Sequence, residues 1–485
     1  MTTALPRASK RLPALAHLPN CRGTPGIPGS RRARFLARLA LGVALISGCG
    51  GPTPRNAVLI VVDTLRWDRV GAYGHDRDTS PVMDALAAEG VRFEYAYASA
   101  PWTMPSVASL ITGLYPSGHG VMTAMTGMSK DVHTLAEILR ERGFRTGGVV
   151  SNHLIRSRLG RGFAQGYDQY RGSEAGGHDH VSTGGVTDQA IEMVRDFART
   201  DAPFFLFVHY FDPHFNYKRH PAAGFAPPRV GRLDGRQNIH QLRNLLKELS
   251  EAEIDFLLDL YDEEIFFTDA GIGRLLEALR EVGAYDSTII VITSDHGEEF
   301  RDHGWLGHTR TLYQELIRVP LIISAPGYRG KPRVVPDRVS LVSITPTLLD
   351  LLSIDHEGLS FHEPSLEGPM SGRGGNAPDF VLTEVGFLPP GNSRGVKRAF
   401  KKAIVGERYK LIRDEETGEI ELYDLEADPG ERNNLADAQP ALRNQLLREL
   451  DGRLRRARQG ATPPDLRHLS DDEIESLRAL GYVDS

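Results

Sequence analysis

The sequence predicts an α/β fold with a mostly parallel central sheet flanked by helices, followed by a smaller C-terminal α+β domain. Three observations support this prediction. Short apolar, β-branched runs alternate with segments of helical periodicity. The runs are apolar throughout, which is typical of strands buried on both faces of a parallel sheet. Alternating strand patterns and one amphipathic helix follow only near the C-terminus.

The predicted central sheet contains five strands, and helical patterns separate them. One helix begins after Ser250, because Ser250 and Glu253 form a capping-box pattern, and it should end near Gly283. Two further helices are expected from their apolar spacing. The predicted strands are 57–62, 146–150, 204–208, 287–293 and 319–323, and the two further helices are 131–142 and 186–199.

Residues 101–113 predict a short helix with an unusual first turn. Pro105 suits the first turn of a helix, and Gly113 suits the position just past its end. This places the Thr103 hydroxyl where unpaired N–H groups and the helix dipole favour an anion. Threonine is also a common helix cap, so a purely structural role for Thr103 is the alternative.

The C-terminal region divides by composition. Residues 363–379 are rich in Pro, Gly and Ser and predict a linker. Residues 380–384, 402–413 and 420–425 alternate like strands, and 440–458 is an amphipathic helix pattern. The resulting domain prediction is a signal segment at 1–49, a catalytic domain at 56–362, the linker at 363–379, a C-terminal subdomain at 380–460 and a polar tail at 461–485.

The N-terminal segment predicts export. Four arginines precede the apolar run 39–46, and Ile46-Ser47-Gly48-Cys49 follows it. This is the arrangement of a secretory signal, and the run is short for a membrane span. Because the Ser-Gly-Cys end resembles a lipobox, we expect acylation of Cys49 and a lipid-anchored protein of the bacterial cell envelope, facing the periplasm or the outer membrane. An ordinary signal peptide or a short anchor helix is the alternative.

Composition excludes some classes of function. The chain has 485 residues, 25% of them charged, and a net charge of −6, so we expect no nucleic-acid partner. Cys21 and Cys49 are the only cysteines, and both lie in or beside the signal. The mature chain is therefore expected to have no disulfide and no cysteine nucleophile.

Polar side chains follow the predicted strands where each strand ends. In parallel sheets, ligands bind at the carboxyl ends of the strands, so these side chains should meet at one edge. A single Asp often only caps a helix, and a single His is often structural, but the convergence of several favours a site. The side chains are those of Asp63, Asn152, His153, His214, Asp295 and His296.

The chemistry of these groups suits a metal-assisted attack on an anionic ester. Asp63, Asp295 and His296 offer ligands for Ca²⁺, Mg²⁺, Mn²⁺ or Zn²⁺. The Thr103 oxygen could complete the shell and attack a phosphorus or sulfur centre. Three histidines could hold the ester or protonate its leaving group, namely His153, His214 and His308.

Six stretches in order resemble the sulfatase family of the alkaline phosphatase superfamily, from about residue 56 to 437. The resemblance implies metal ligands at Asp63, Asp295 and His296, a nucleophile at Thr103, and substrate-contacting histidines at His153 and His214. The stretches are AVLIVVDTLRWDRVGAYG (57–74), residues 101–120, Asp212-Pro213-His214, SDHGE (294–298), RTLYQELIRVP (310–320) and ELYDLEADPGERNNL (421–435).

The sequence departs from the family pattern at its most characteristic positions. Thr103 and Val107 stand where sulfatases usually have Cys or Ser and Arg, so a formylglycine nucleophile is not expected. Val62 replaces the first residue of the usual Asp-Asp pair. Ser151, and Thr309 followed by Arg310, stand where lysines are expected, and we assign Asn152, His308 and Arg310 to substrate binding.

The sequence therefore predicts an exported, metal-dependent hydrolase that cleaves sulfate or phosphate esters through Thr103. One divalent ion is expected: Ca²⁺ if the protein is sulfatase-like, and Mn²⁺, Zn²⁺ or Mg²⁺ if it is of the phospho type. The expected partners are an anionic ester of a glycan, lipid or small molecule, and a membrane reached through the lipid anchor. A phosphoethanolamine or phosphoglycerol transferase acting on envelope lipid or glycan, and a catalytically silent glycan-binding relative, are the alternatives.

Overall fold

The structure is a computed structural model, and it describes residues 53–156, 161–172, 182–373, 378–388, 398–479 and 482. The predicted signal segment and Cys49 lie outside the described residues, so export and acylation stay predictions. Within the described ranges, no helix is both long and apolar enough to cross a membrane.

A nine-stranded sheet forms the centre of the protein. The order across it is β7-β2-β8-β6-β1-β5-β3-β4, and β9 pairs with β2. The five strands from β6 to β4 are parallel throughout. The strands are β1 (Asn56–Val62), β2 (Val91–Tyr97), β3 (Arg145–Val150), β4 (Gln169–Gly172), β5 (Phe204–Tyr210), β6 (Thr288–Thr293), β7 (Arg318–Val319), β8 (Leu321–Ser324) and β9 (Arg333–Ser340).

One strand prediction needs correction. Residues 319–323 form parts of two short strands, β7 and β8, because Pro320 lies between them and proline cannot donate to a ladder. Both strands run antiparallel to their neighbours β2 and β6. Three strands of this sheet were not predicted, β2, β4 and β9. Strand β2 mixes buried and half-buried positions, β4 is half-buried throughout, and β9 is largely exposed over its first five residues.

Helices cover both faces of the sheet, and each face has its own apolar core. The predicted long helix is present as α5, and Ser250 and Glu253 form the expected capping box. The predicted mostly parallel α/β fold is therefore confirmed. The helices are α1 (Pro81–Glu89), α2 (Thr103–Thr112), α3 (Leu135–Glu141), α4 (Thr183–Phe197), α5 (Glu251–Glu281), α6 (Ile344–Leu351), α7 (Pro440–Arg458) and α8 (Asp471–Ala479).

The C-terminal part contains a four-stranded antiparallel sheet covered by α7. The predicted strand at 402–413 is in fact two strands joined by a tight turn. Residues 363–373 are not an open linker, because Glu367–Ser371 is helical and Met370 is buried in the core. The strands are β10 (Phe380–Phe387), β11 (Ala399–Gly406), β12 (Tyr409–Asp414) and β13 (Ile420–Asp424).

The predicted polar tail is partly built into the core. Asp465–Leu466 pairs with Thr126–Gly127 as a two-stranded ribbon. Leu477 in α8 is 1% exposed, and Tyr482 beyond it is 3% exposed. The tail thus contributes apolar and aromatic contacts that its polar average composition conceals.

Candidate active site

The carboxyl ends of four adjacent parallel strands, β6, β1, β5 and β3, form one edge of the sheet. Asp63 follows β1 directly, Asp295 follows β6, and Asn152 follows β3. Gly297 is required just after this group, because a Cβ there would lie 1.9 Å from the Glu315 carbonyl oxygen. The sheet topology therefore brings together residues that are separated by up to 232 positions in the chain.

Asp63, Asp295 and His296 form a cluster that could hold a metal ion. One ligand atom from each lies within 4.8 Å of the others, and all three side chains are fully buried. The Nδ1 atom of His296 faces the Gly297 carbonyl oxygen at 2.9 Å. This leaves Nε2 facing the carboxylates, 3.5 Å from Asp63 Oδ1 and 3.7 Å from Asp295 Oδ2.

The unsatisfied atoms of this cluster fit a cation. Asp63 Oδ1 and Asp295 Oδ2 are buried and have no hydrogen-bond partner among the described residues. Burial and the neighbouring Asp295 charge raise the pKa of Asp63 well above its ordinary value, and burial lowers the pKa of His296. Two buried carboxylates beside a neutral imidazole are costly without a compensating positive charge, so the residues present fit a divalent ion.

His209 is a further member of the cluster that the sequence analysis did not select. It lies within β5, fully buried, with Nε2 3.6 Å from Asp295 Oδ2 and 3.9 Å from Asp63 Oδ2. Val62, the residue that replaces the usual first Asp, is 1% exposed in the sheet. His209 directly follows the predicted strand 204–208, so the signal that marked the other site residues was present here too, but His209 was not selected as a ligand.

Thr103 lies at the first position of α2 beside this cluster. Its Oγ1 atom is 3.5 Å from His296 Nε2 and accepts a hydrogen bond of 3.2 Å from Asn152 Nδ2. Asn152 Nδ2 also donates to Asp63 Oδ2 at 2.7 Å. The helix is fixed in this position because Ser106 Oγ donates to the Asp295 carbonyl oxygen at 2.6 Å. The predicted neighbourhood of Thr103 and the acidic cluster is therefore present.

His214 and His308 lie on one side of His296. The ring centroid of His308 is 4.5 Å from that of His296 and 4.9 Å from that of His214. Glu298 is fully buried, and its Oε1 atom lies 2.8 Å from His308 Nδ1. The other ring nitrogen of His308, Nε2, lies 3.3 Å from the hydroxyl oxygen of Tyr482.

The remaining predicted residues lie at different places. His153 begins a short helical turn after β3, and burial together with the charges of Arg156 and Arg161 lowers its pKa. Arg310 lies with its guanidinium carbon 4.0 Å from the centroid of the Trp305 ring. The assignment of both residues to substrate stays a prediction.

Tyr482 enters the site from the C-terminal tail, and the sequence analysis missed it. Its hydroxyl oxygen is 3.3 Å from His308 Nε2, and its ring lies 6.0 Å from Trp102, the residue before Thr103. Burial and the charge of Asp63 raise the pKa of Tyr482 well above its ordinary value, and its hydroxyl interacts with that of Thr103. A single tyrosine in a segment of polar average composition gave no pattern that points to a site.

Comparison with known proteins supplies the family. The profile described as Sulfatase matches residues 55–354, and the profile described as N-sulphoglucosamine sulphohydrolase, C-terminal, matches residues 301–460. The chain belongs to the sulfatase family. Members of this family generally bind a divalent metal ion, which agrees with the cluster of Asp63, Asp295 and His296.

Relatives and structural neighbours of this sulfatase-family protein act on more than one kind of ester. An arylsulfatase of Clostridium perfringens is 28% identical over 473 residues, covering 82% of this chain and 95% of that protein. The phosphonate monoester hydrolase of Agrobacterium radiobacter has a TM-score of 0.68 and 24% identity, covering 86% of this chain and 100% of that one. A structure in complex with D-glucosamine-2-N,6-O-disulfate has a TM-score of 0.67 and 22% identity, covering 88% and 99%. The protein is thus an ester hydrolase of this family.

Proposed function

We propose that this protein is a metal-dependent hydrolase of sulfate or phosphate esters in which Thr103 is the nucleophile. The observation that carries the proposal is the position of the Thr103 oxygen, 3.5 Å from His296 Nε2 and hydrogen-bonded to Asn152, beside the paired carboxylates. A bound divalent ion would supply the positive charge that favours an ionised hydroxyl and stabilises the negative charge on the ester oxygens as the substitution proceeds. Asn152 would keep the Thr103 oxygen turned towards the ester.

His308 is the group we assign to the leaving oxygen. Thr103 would give up its hydroxyl proton to a water molecule, and its Oγ1 would form a bond to sulfur or phosphorus as the bond to the leaving oxygen breaks. His308 would give that leaving oxygen a proton. Glu298, 2.8 Å from His308 Nδ1, would stabilise the protonated ring. Water would then release the ester formed on Thr103.

The ligand chemistry favours an ion that accepts nitrogen as well as oxygen. Asp63 and Asp295 offer oxygen atoms, and His296 and His209 offer nitrogen atoms. Imidazole ligands suit Zn²⁺, whereas Ca²⁺ prefers oxygen alone. We therefore propose Zn²⁺ or Mn²⁺ ahead of Ca²⁺, which can be tested by measuring the metal content of protein refolded with each ion.

The experiment that tests the function is an ester panel on the purified chain, with each ion added in turn. Thr103→Ala should reduce turnover of the preferred ester by about 10³-fold or more, because a nucleophile has no substitute nearby. Thr103→Ser keeps the hydroxyl and should retain activity. Wild-type turnover by Thr103→Ala would remove Thr103 from the mechanism.

The substrate class and the cellular location are two further parts of the proposal. One structural neighbour was determined with D-glucosamine-2-N,6-O-disulfate, so we propose a sulfated or phosphorylated glycan as the first substrate class to test. We also propose export to the bacterial envelope with a lipid on Cys49, on the basis of the lipobox-like sequence alone. Mass spectrometry of the protein from a membrane fraction would detect the acyl chains.

A catalytically silent binding protein is the second candidate, and one observation favours it. The exposed fraction is 0% for Thr103 and for each of its neighbours Asp63, Asp295 and His296. A site that stays closed would bind metal without turnover. Metal binding with no turnover across the panel would support this candidate over the hydrolase.

A further inference from the structure

A cavity of about 730 Å³ is lined in part by Arg161 and has no role in the mechanism above. Three segments form its walls: 128–131, 161–165 and 463–467. Its volume is in the range of about 300–1,000 Å³ that is typical of small-molecule sites. Three cationic side chains line it, namely those of Lys130, Arg161 and Arg467, together with the acidic side chains of Asp131 and Asp465.

Arg161 is the unusual member of this wall, because a buried arginine normally has its charge fully paired. It is 2% exposed. Its Nη1 atom donates to the Ala124 carbonyl oxygen and lies 3.4 Å from Met104 Sδ. Its Nε atom has no hydrogen-bond partner among the described residues. The guanidinium therefore keeps donor capacity and positive charge for a further anionic group.

The nearest carboxylate does not complete the pairing. Arg161 Nη2 lies 3.7 Å from Glu473 Oε1, which is beyond hydrogen-bond distance. Glu473 uses its other oxygen, Oε2, to accept from the Ser470 backbone N–H at 2.8 Å, as in a capping box at the start of α8. Glu473 is thus held by its own helix, and an anionic group of a ligand can take its place beside Arg161.

Arg161 connects the cavity to the candidate active site. Met104, which Arg161 touches, directly follows Thr103 in the chain. His153, predicted to contact substrate, lies within electrostatic reach of both Arg161 and Glu473. An ester held at Thr103 could therefore extend into the cavity on the His153 side. Lys130 is exposed at the rim, whereas Arg467 is paired with Asp465 at 3.1 Å.

We propose that this cavity is a binding site for a second anionic group of the substrate, with Arg161 as its main contact. The substrate class is then a glycan that carries a sulfate, phosphate or carboxylate beside the ester that is cleaved. The inference rests on the proposed function for the identity of the first group. The contacts of Arg161 and Glu473 at the cavity do not depend on turnover.

Binding to the non-reacting Thr103→Ala protein tests the proposal without requiring activity. The probes are D-glucosamine-2-N,6-O-disulfate and D-glucosamine 6-O-sulfate, titrated calorimetrically into the full mature chain loaded with ion. The disulfate should bind about tenfold more tightly, because a charge-assisted hydrogen bond in a buried setting contributes that much. Arg161→Met should abolish the difference between the probes.

A substitution at Glu473 should act in the opposite direction. Glu473→Gln keeps the capping box but removes the competing charge, so it should strengthen disulfate binding about threefold or more. Glu475→Gln is the matched control, because Glu475 lies on the same helix and pairs with Arg478 instead. If Arg161→Met does not fold, Lys130→Ala replaces it and should reduce the disulfate preference more weakly.

Several results would overturn the proposal. They are equal affinity for both probes, no binding of either, or a preference that survives Arg161→Met and is unchanged by Glu473→Gln. Failure of the proposed function would look different: wild type would turn over no ester, while the disulfate preference and its response to Glu473→Gln remained.

Discussion

The pair of buried carboxylates makes a prediction that does not depend on knowing the substrate. Asp63→Asn removes one charge from the cluster, and Asn can still accept the hydrogen bond that Asp63 Oδ2 receives from Asn152. We expect the variant to be more stable than wild type when ions are removed with EDTA, and less stable than wild type when the preferred ion is present. Such a reversal in the order of stability between the two proteins, with and without ion, is expected only if Asp63 helps to bind the ion.

The magnitude follows from the separation of the groups. Ligand atoms of Asp63 and Asp295 lie within 4.8 Å of each other, so at an effective dielectric constant of about 20 their repulsion is about 3 kcal/mol. Without ions at pH 8, Asp63→Asn should raise the free energy of unfolding by up to that amount. An ion at 100 times its dissociation constant should stabilise wild type by about 2.7 kcal/mol.

The pH dependence has a defined sign. Burial and the Asp295 charge raise the pKa of Asp63, so the folded protein without ion holds this proton more tightly than the unfolded chain does. In EDTA, the free energy of unfolding of wild type is therefore unaffected by the Asp63 charge below about pH 4. It falls as the pH rises towards the raised pKa of Asp63, because the folded protein must then hold the charged carboxylate. Asp295, whose pKa is lowered although burial opposes this, acts in the opposite direction at lower pH.

Thermal unfolding in EDTA and in added Zn²⁺ or Mn²⁺, at pH 5 and pH 8, measures these differences. Asp286→Asn is a suitable control, because Asp286 is exposed and precedes β6, at the opposite end of that strand from Asp295. The reasoning is refuted if Asp63→Asn is the less stable protein in EDTA at pH 8, or if ions stabilise both proteins equally.

Three further predictions concern single contacts. Asn152→Ala, measured by steady-state kinetics, should lower kcat about tenfold with little change in KM, because it releases the Thr103 oxygen. Tyr482→Phe should lower kcat about three- to tenfold by removing the oxygen 3.3 Å from His308 Nε2, and unchanged kinetics would exclude a role for that hydroxyl. Lys410→Met should cost about 3–5 kcal/mol in chemical unfolding, because it strands the buried Glu431 carboxylate 2.6 Å away; adding Glu431→Gln should restore most of it.

The regular elements were predictable where the local pattern is strong. The helix at 440–458 has the predicted limits, and the capping box at Ser250 marks the start of α5. Strands buried on both faces were found because they are uniformly apolar. Strand β2 was missed because it is not uniformly apolar, and the linker prediction is wrong for 363–373, because Pro and Gly also occur in packed segments.

The candidate site was predictable only in part. Asp63, Asp295 and His296 follow buried strands, and strand ends are where the topology gathers ligands. His209 directly follows the predicted strand 204–208 but was not selected, and the structure extends that strand to Tyr210. Arg161 lies in a segment without periodicity, so no local pattern marks it. Their roles depend on which side chains face them across the fold.

The sequence by itself determined the alternation of strands and helices, the position of Thr103 at a helix start and the family to which the chain is similar, because each depends on neighbours a few residues apart. Tertiary structure alone decided that Tyr482 reaches His308, that His209 joins the two carboxylates and that Arg161 is left with an incomplete partner. The physical reason is that charge compensation and burial are set by groups distant in the chain, and a local pattern carries no record of them.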